Sequence, residues 1–113
     1  MDESRKTARL KVTRHTRFVA PDGTVVQTRL YDISSSGLSL LYDYQLQNGY
    51  QCAVAVSLPQ YGKVGDAEVK ALCKVVYAVF CSSNRKFRVG LQFLKFEAGG
   101  EATLKKFIEE KLG

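Results

Sequence analysis

The stretch D-I-S-S-S-G-L-S-L, residues 32–40, decides how this sequence folds. One carboxylate, three hydroxyls and a glycine break into what otherwise reads as strand: residues 24–33 run into it, and Leu38-Ser-Leu40 resumes the β pattern beyond Gly37. A long β region is bent here. Upstream, residues 9–20 are extended and rich in Val, Thr and Phe, and they stop at Pro21-Asp22-Gly23. Proline presets φ and glycine accepts positive φ, so that tripeptide is a hairpin signal.

Downstream the period stays at two. Residues 50–58 place Cys52, Val54, Val56 and Leu58 on one face, and Pro59-Gln-Tyr-Gly62 ends the run. From 69 to 81 one parity carries Val69, Ala71, Cys73, Val75, Tyr77, Val79 and Cys81. That apolar face is too long for a straight strand, so a bulge or bend is expected. After the polar turn Ser82-Ser-Asn84, residues 87–93 set Phe87, Val89, Leu91 and Phe93 on a shared face as the last strand. Beyond Gly99-Gly100 the period becomes helical: Leu104, Phe107, Ile108 and Leu112 form an apolar stripe, with Glu101/Lys105 and Lys106/Glu110 spaced as i,i+4 ion pairs. About six short strands and one terminal helix predict an all-β domain, a small antiparallel barrel whose opening the helix plugs or flanks.

Composition narrows the chemistry. A chain of 113 residues is one domain that buries roughly two-thirds of its unfolded surface and needs no metal or disulfide to fold. Cys52, Cys73 and Cys81 are odd in number and lack C-x-x-C spacing, so neither a disulfide framework nor a metal site is signalled. A reducing cytoplasm is the expected compartment. No apolar run approaches the ~20 residues that span a bilayer, and M-D-E-S-R-K-T-A-R-L-K is too polar for a secretion signal. The single histidine, His15, reads as a surface residue, and no G-x-S-x-G, phosphate-binding glycine loop or paired carboxylates are present. A binding module is favoured over an enzyme, with no cofactor.

The net charge of +6 is concentrated at one end: Arg5, Lys6, Arg9, Lys11, Arg14 and Arg17 crowd the first seventeen residues. Arg5 and Arg9, four apart in an extended segment, project the same way about 13 Å from each other at ~3.3 Å per residue. A guanidinium fits the O6/N7 edge of guanine, stacks on a base and pairs with phosphate. Asp32 offers acceptors to guanine N1–H and N2–H2. Ser34 adds a hydroxyl on the same side, and Gly37 lets the backbone turn sharply or approach a ligand closely.

The pair R-K-T-A-R (Arg5, Arg9) and D-I-S-S-S-G (Asp32, Ser34, Gly37) resembles the R-x-x-x-R and [DN]-x-S-x-x-G motifs of PilZ domains. The resemblance spans essentially the whole chain, including R-V-G-L-Q-F at 88–93 and the terminal helix. It implies a six-stranded antiparallel PilZ-type β-barrel plus a C-terminal α-helix: a flexible ligand-binding loop over 1–9, the barrel over 10–97 and the helix over 100–112. It further implies a bacterial receptor for cyclic di-GMP with Arg5, Arg9, Asp32, Ser34 and Gly37 as the ligand-binding residues. Ligand binding would order the N-terminal loop onto the barrel and change the surface shown to an unidentified downstream protein controlling motility, biofilm formation or virulence. Some relatives place an aromatic residue beside a guanine near Tyr77, whose position on the apolar face otherwise assigns it to core packing.

Two other classes stay open. One is a basic barrel that binds single-stranded nucleic acid, with Tyr31, Tyr42, Tyr44 or Tyr50 as stacking platforms. The other is a ligand-independent protein-interaction module in which D-I-S-S-S-G is a bend capped by its own side chains.

Overall fold

The computed structural model describes residues 9–11, 14–60, 62 and 64–112. Six strands, β1 (His15–Val19), β2 (Val25–Ile33), β3 (Gly37–Tyr42), β4 (Gln51–Pro59), β5 (Asp66–Cys81) and β6 (Lys86–Phe96), are followed by one helix, α1 (Gly100–Leu112). They close into an antiparallel barrel in the order β1-β2-β3-β6-β5-β4. The expected barrel with a terminal helix is thus the observed fold.

Alternating apolar residues fill the interior: Phe18, Leu30, Ile33, Leu40, Val54, Val56, Leu58, Val69, Cys73, Val75, Val89 and Leu91 are all buried. Each such side chain contributes about 1.5–3 kcal/mol on burial. The helix lies on β5 and β4 and inserts Leu104 and Phe107 into the same core. Its Glu101/Lys105 and Lys106/Glu110 pairs, expected from spacing, do not close as salt bridges; exposed long side chains gain little from pairing and remain solvated.

The Pro21-Asp22-Gly23 turn joins β1 to β2 as expected, with Gly23 at φ 89° and Asp22 accepting from the Thr24 amide at 2.9 Å. That bond holds the Asp22 carboxyl below its ordinary value. The described residues within 9–20 are less regular than the composition of that stretch suggests. Among them only His15–Val19 is strand, and upstream Leu10 touches β2 through an isolated bridge to Ile33, with bonds of 2.8 and 3.0 Å.

Register shifts set which side chains leave the core. On β2 the pairing jumps from Leu30↔Leu40 to Asp32↔Ser39, so Tyr31 is an extra residue and Asp32 stays on the outer surface while Ile33 points inward. On β5 it jumps from Val75↔Leu91 to Tyr77↔Gly90, making Val76 the extra residue. The bend expected in this strand is therefore real, and it reverses the parity beyond it. Val69, Ala71, Cys73 and Val75 are buried, whereas Val79 is 57% exposed. Tyr77 correspondingly leaves the core, contrary to the packing role its apolar parity suggested: one inserted residue turns every later side chain to the other face.

Candidate functional site

The bulge at Tyr31 is what builds the site. It brings Asp32 of β2 into an outer-surface row with Ser39 of β3, Gly90 of β6 and Tyr77 of β5, each paired with the next. Asp32 is only 5% exposed. A buried carboxylate needs donors, and two side chains supply them: the Ser39 hydroxyl donates to Oδ1 at 2.5 Å, and Arg9 reaches the same oxygen through Nε and Nη2, both at 3.0 Å.

Arg9 is positioned by the Leu10–Ile33 bridge, which lays the leading segment alongside the end of β2. Its Nη1 donates to Ser34 Oγ at 3.2 Å, so one guanidinium spans both polar residues of the D-x-S-x-x-G motif. Its side chain as a whole remains 37% exposed.

Ser34 is fully buried. Its hydroxyl meets Ser36 Oγ at 3.2 Å and the Gly37 carbonyl at 3.3 Å, while the Ser34 amide donates to that same carbonyl at 2.8 Å. The side chains therefore do cap their own bend, and Ser34 acts by fixing the turn and Arg9. Gly37 has a further reason to be glycine, beside the sharp turn or close ligand approach expected of it. It opens β3 opposite Gln92, and a Cβ there would lie 2.1 Å from the Leu91 carbonyl oxygen. The requirement is close strand packing against β6.

Tyr77 lies across Gly90, where a Cβ would sit 2.1 Å from its ring. Arg88, two residues along β6 on the same outer face, donates from Nε to Tyr77 Oη at 3.2 Å. Its guanidinium stacks 4.7 Å from the Tyr31 ring centre and 5.7 Å from that of Tyr77. The hydrogen bond that Arg88 donates to Tyr77, followed by weaker charge effects including Asp32, raises the Arg88 pKa further, so the group is a permanent cation. Lys11 adds a second cation over Tyr31 at 4.9 Å.

A cleft of about 220 Å³ runs between these groups, lined by Arg9, Ser36, Gly37, Val76, Tyr77 and Gln92 among others. A larger groove of about 600 Å³ lies elsewhere, over Ala53, Ala55, Leu72 and Phe96, and touches none of the candidate residues. The chemistry is concentrated in the smaller one. Of the five expected ligand residues, Arg9 and Gly37 line the smaller cleft, Asp32 and Ser34 adjoin it through their bonds to Arg9, and the fifth, Arg5, lies outside the described residues, as does most of the 1–9 segment.

Ser39, Arg88 and Tyr31 were not singled out together by sequence reasoning. Ser39 and Arg88 each stand at an outward parity between apolar neighbours, which is a signal, but their convergence depends on strand register. The other proposed stacking platforms do not share this surface. Tyr42 packs edge-on against Phe18 at 4.9 Å, and Tyr50 donates to the Val19 carbonyl at 2.8 Å. Burial raises the pKa of both phenols, so they stay neutral. Among the described residues no group of His, Cys, Asp and Glu could hold a metal ion, and no helix is long and apolar enough to cross a membrane.

Comparison with known proteins gives the same picture. The Bacillus subtilis inhibitor of motility MotI/DgrA superposes with a TM-score of 0.76 at 20% identity, over 92% of this chain and 49% of that one. The PilZ domain of Escherichia coli YcgR with cyclic di-GMP matches at a TM-score of 0.63 and 20% identity, over 90% and 86% of the two chains. Borreliella burgdorferi PlzA in complex with cyclic di-GMP matches at 0.57 and 18%, over 93% and 51%. The chain thus spans about half the length of MotI/DgrA and PlzA. No curated protein sequence matches it. With residues 3–110 matching the PilZ domain and the barrel, helix and bent D-x-S-x-x-G turn in place, the chain belongs to the PilZ domain family, whose members are in general receptor domains without catalysis of their own.

Proposed function

We propose that this domain binds cyclic di-GMP through Arg5, Arg9, Asp32, Ser34 and Gly37. The observation that carries the reading is the convergence of Arg9, from the leading segment, with Asp32 and Ser34 on the barrel surface. Asp32 presents only acceptors when ionised and so complements the N1–H and N2–H2 edge of guanine. Arg9, partly exposed, offers the planar fork that suits a guanine O6/N7 edge or a phosphate. Arg5, four residues earlier, supplies the second guanidinium to the same dianionic ligand. Tyr77, turned outward beside the cleft, offers a ring on which a base stacks, and Arg88 braces that ring.

On this reading the Leu10–Ile33 bridge is the anchor and the residues before it are what the ligand fixes. Binding draws Arg5 toward the barrel, and the surface so formed is read by a partner protein. Solved relatives with cyclic di-GMP bound, and a relative that inhibits motility, support a role in second-messenger control of motility or a similar surface behaviour. Tyr42 and Tyr50 are engaged with Phe18 and the Val19 carbonyl and Tyr31 lies under Arg88 and Lys11, which leaves Tyr44, exposed beside Tyr42, and speaks against a continuous stacking stripe for single-stranded nucleic acid.

Titration calorimetry with cyclic di-GMP, GMP, cyclic di-AMP and a short single-stranded oligonucleotide tests the reading, repeated with Arg9→Ala and Asp32→Asn. Asp32→Asn keeps the side chain's shape and changes an acceptor into a donor. Selective binding of cyclic di-GMP, weakened at least about tenfold by either change, is expected, since each removes a charge-assisted hydrogen bond worth about 1.5–3 kcal/mol. No heat with any nucleotide would make the domain a protein-interaction barrel with a self-capped bend.

A further inference from the structure

Beyond Lys74, β5 outgrows one of its two neighbours. Its register with β4 ends at Gln51↔Lys74, and Val75 makes the last contacts on that side, with the Gly49 amide and the Tyr50 carbonyl. On the other side it stays paired with β6 as far as Cys81↔Lys86. Residues 76–81 are therefore strand with one edge that has no backbone partner among the described residues.

Which groups face that edge follows from alternation along an antiparallel strand. The Cys81 carbonyl faces the hairpin loop, accepting from the Arg85 amide at 2.8 Å. The N–H and C=O of Phe80 and of Ala78 then point outward. Four backbone groups are presented beside side chains that water also reaches: Val79 is 57% exposed and Phe80 55%. Exposed edges are normally blunted by lysine, proline or an inward charge. The run V-V-Y-A-V-F-C-S-S-N over 75–84 contains none of these, and the bulge at Val76 lies at its base, below the outward groups.

We infer that this edge pairs with the same edge of a second copy, antiparallel about a twofold axis at Val79. That register places Ala78 of each copy opposite Phe80 of the other. Their N–H and C=O groups exchange four hydrogen bonds, which uses all four outward groups. The large Phe80 ring meets a small Ala78, and Val79 packs on its own symmetry mate. Residues 76–82, which would face one another across the axis, carry no charge, so copies that each have a net charge of +6 set no like charges opposite each other in the seam. The seam's fit to itself is what selects a second copy over an unrelated strand, and a closed twofold contact does not propagate into fibres. A single added strand pair is a small interface, so the dimer is concentration-dependent. The inference stands apart from the ligand reading and does not depend on it.

Sedimentation velocity of the full 113-residue chain from micromolar to millimolar concentration is the test, with a rising species of twice the 12.6 kDa chain mass expected. Val79→Lys puts two like charges on the axis and should abolish that species with the circular dichroism unchanged. In a Cys81→Ser background, Val79→Cys should form a disulfide-linked dimer under glutathione disulfide far faster than Val25→Cys, a position 63% exposed away from the seam. A chain that stays monomeric throughout, a dimer that survives Val79→Lys, or equal cross-linking at both cysteine positions would overturn the self-pairing, the first leaving the edge to a strand of another protein.

Discussion

On the proposed reading, Asp32 is both ligand-facing and structural. Its Oδ1 is taken by Ser39 and Arg9, so the carboxylate that would meet guanine is also the group that holds the guanidinium in place. The glycines of the site are equally constrained, and by different neighbours. A Cβ on Gly37 would meet the Leu91 backbone carbonyl, while one on Gly90 would meet the Tyr77 ring. Backbone in a closed barrel cannot step aside, whereas a partly exposed ring can swing away. Gly37→Ala should therefore cost about 1–3 kcal/mol in urea unfolding, and Gly90→Ala clearly less, with Tyr77 displaced. Equal costs would mean that Tyr77 is held as rigidly as the strand. The motif residues themselves were readable in the sequence because D-x-S-x-x-G is a local turn. Ser39 was not, because its partnership with Asp32 exists only through the β2–β3 register.

Among the elements, the β4–β5 ladder pairs two thiols directly across the strands, Cys52 opposite Cys73, both buried and free. Burial pushes the Cys52 thiol up to about 11, and burial with its neighbour pushes Cys73 up to about 12, from an ordinary value of 9.0. The unfolded chain thus loses these protons first as pH rises. The thiols' contribution to stability is fully present below pH 9 and should be lost progressively between pH 9 and about 12, and Cys73→Ala should flatten that decline. Equilibrium unfolding at a series of pH values checks it; a decline of the same steepness in the variant would place its cause elsewhere. Sequence periodicity assigned both residues to the interior because Cys52 and Cys73 lie on regular alternating runs. It also grouped Cys81 and Tyr77 with them, which the Val76 bulge undid.

Taken whole, the molecule is a closed barrel carrying a net charge of +6, with much of that charge in the segment that leads into the proposed ligand site. Long-range attraction of a dianionic ligand follows, and it is screened by salt. Affinity for cyclic di-GMP should fall on going from about 0.05 to about 0.5 M salt, by less than about tenfold if the short-range Asp32 and Arg9 contacts dominate. A steep log–log loss, shared by oligonucleotides, would instead mark polyanion binding through counterion release. The sequence by itself determined the strands, the hairpin turn at Pro21-Asp22-Gly23, the terminal helix and the four motif residues that converge, because period, turn chemistry and short motifs are local properties of a chain. Only the tertiary structure decided that Tyr77 leaves the core, that Arg88 stacks between Tyr31 and Tyr77, and that β5 ends in an edge without a backbone partner among the described residues. A bulge is one residue in excess of what a neighbouring strand supplies, so it is defined by two strands together, and each one reverses the faces of everything beyond it.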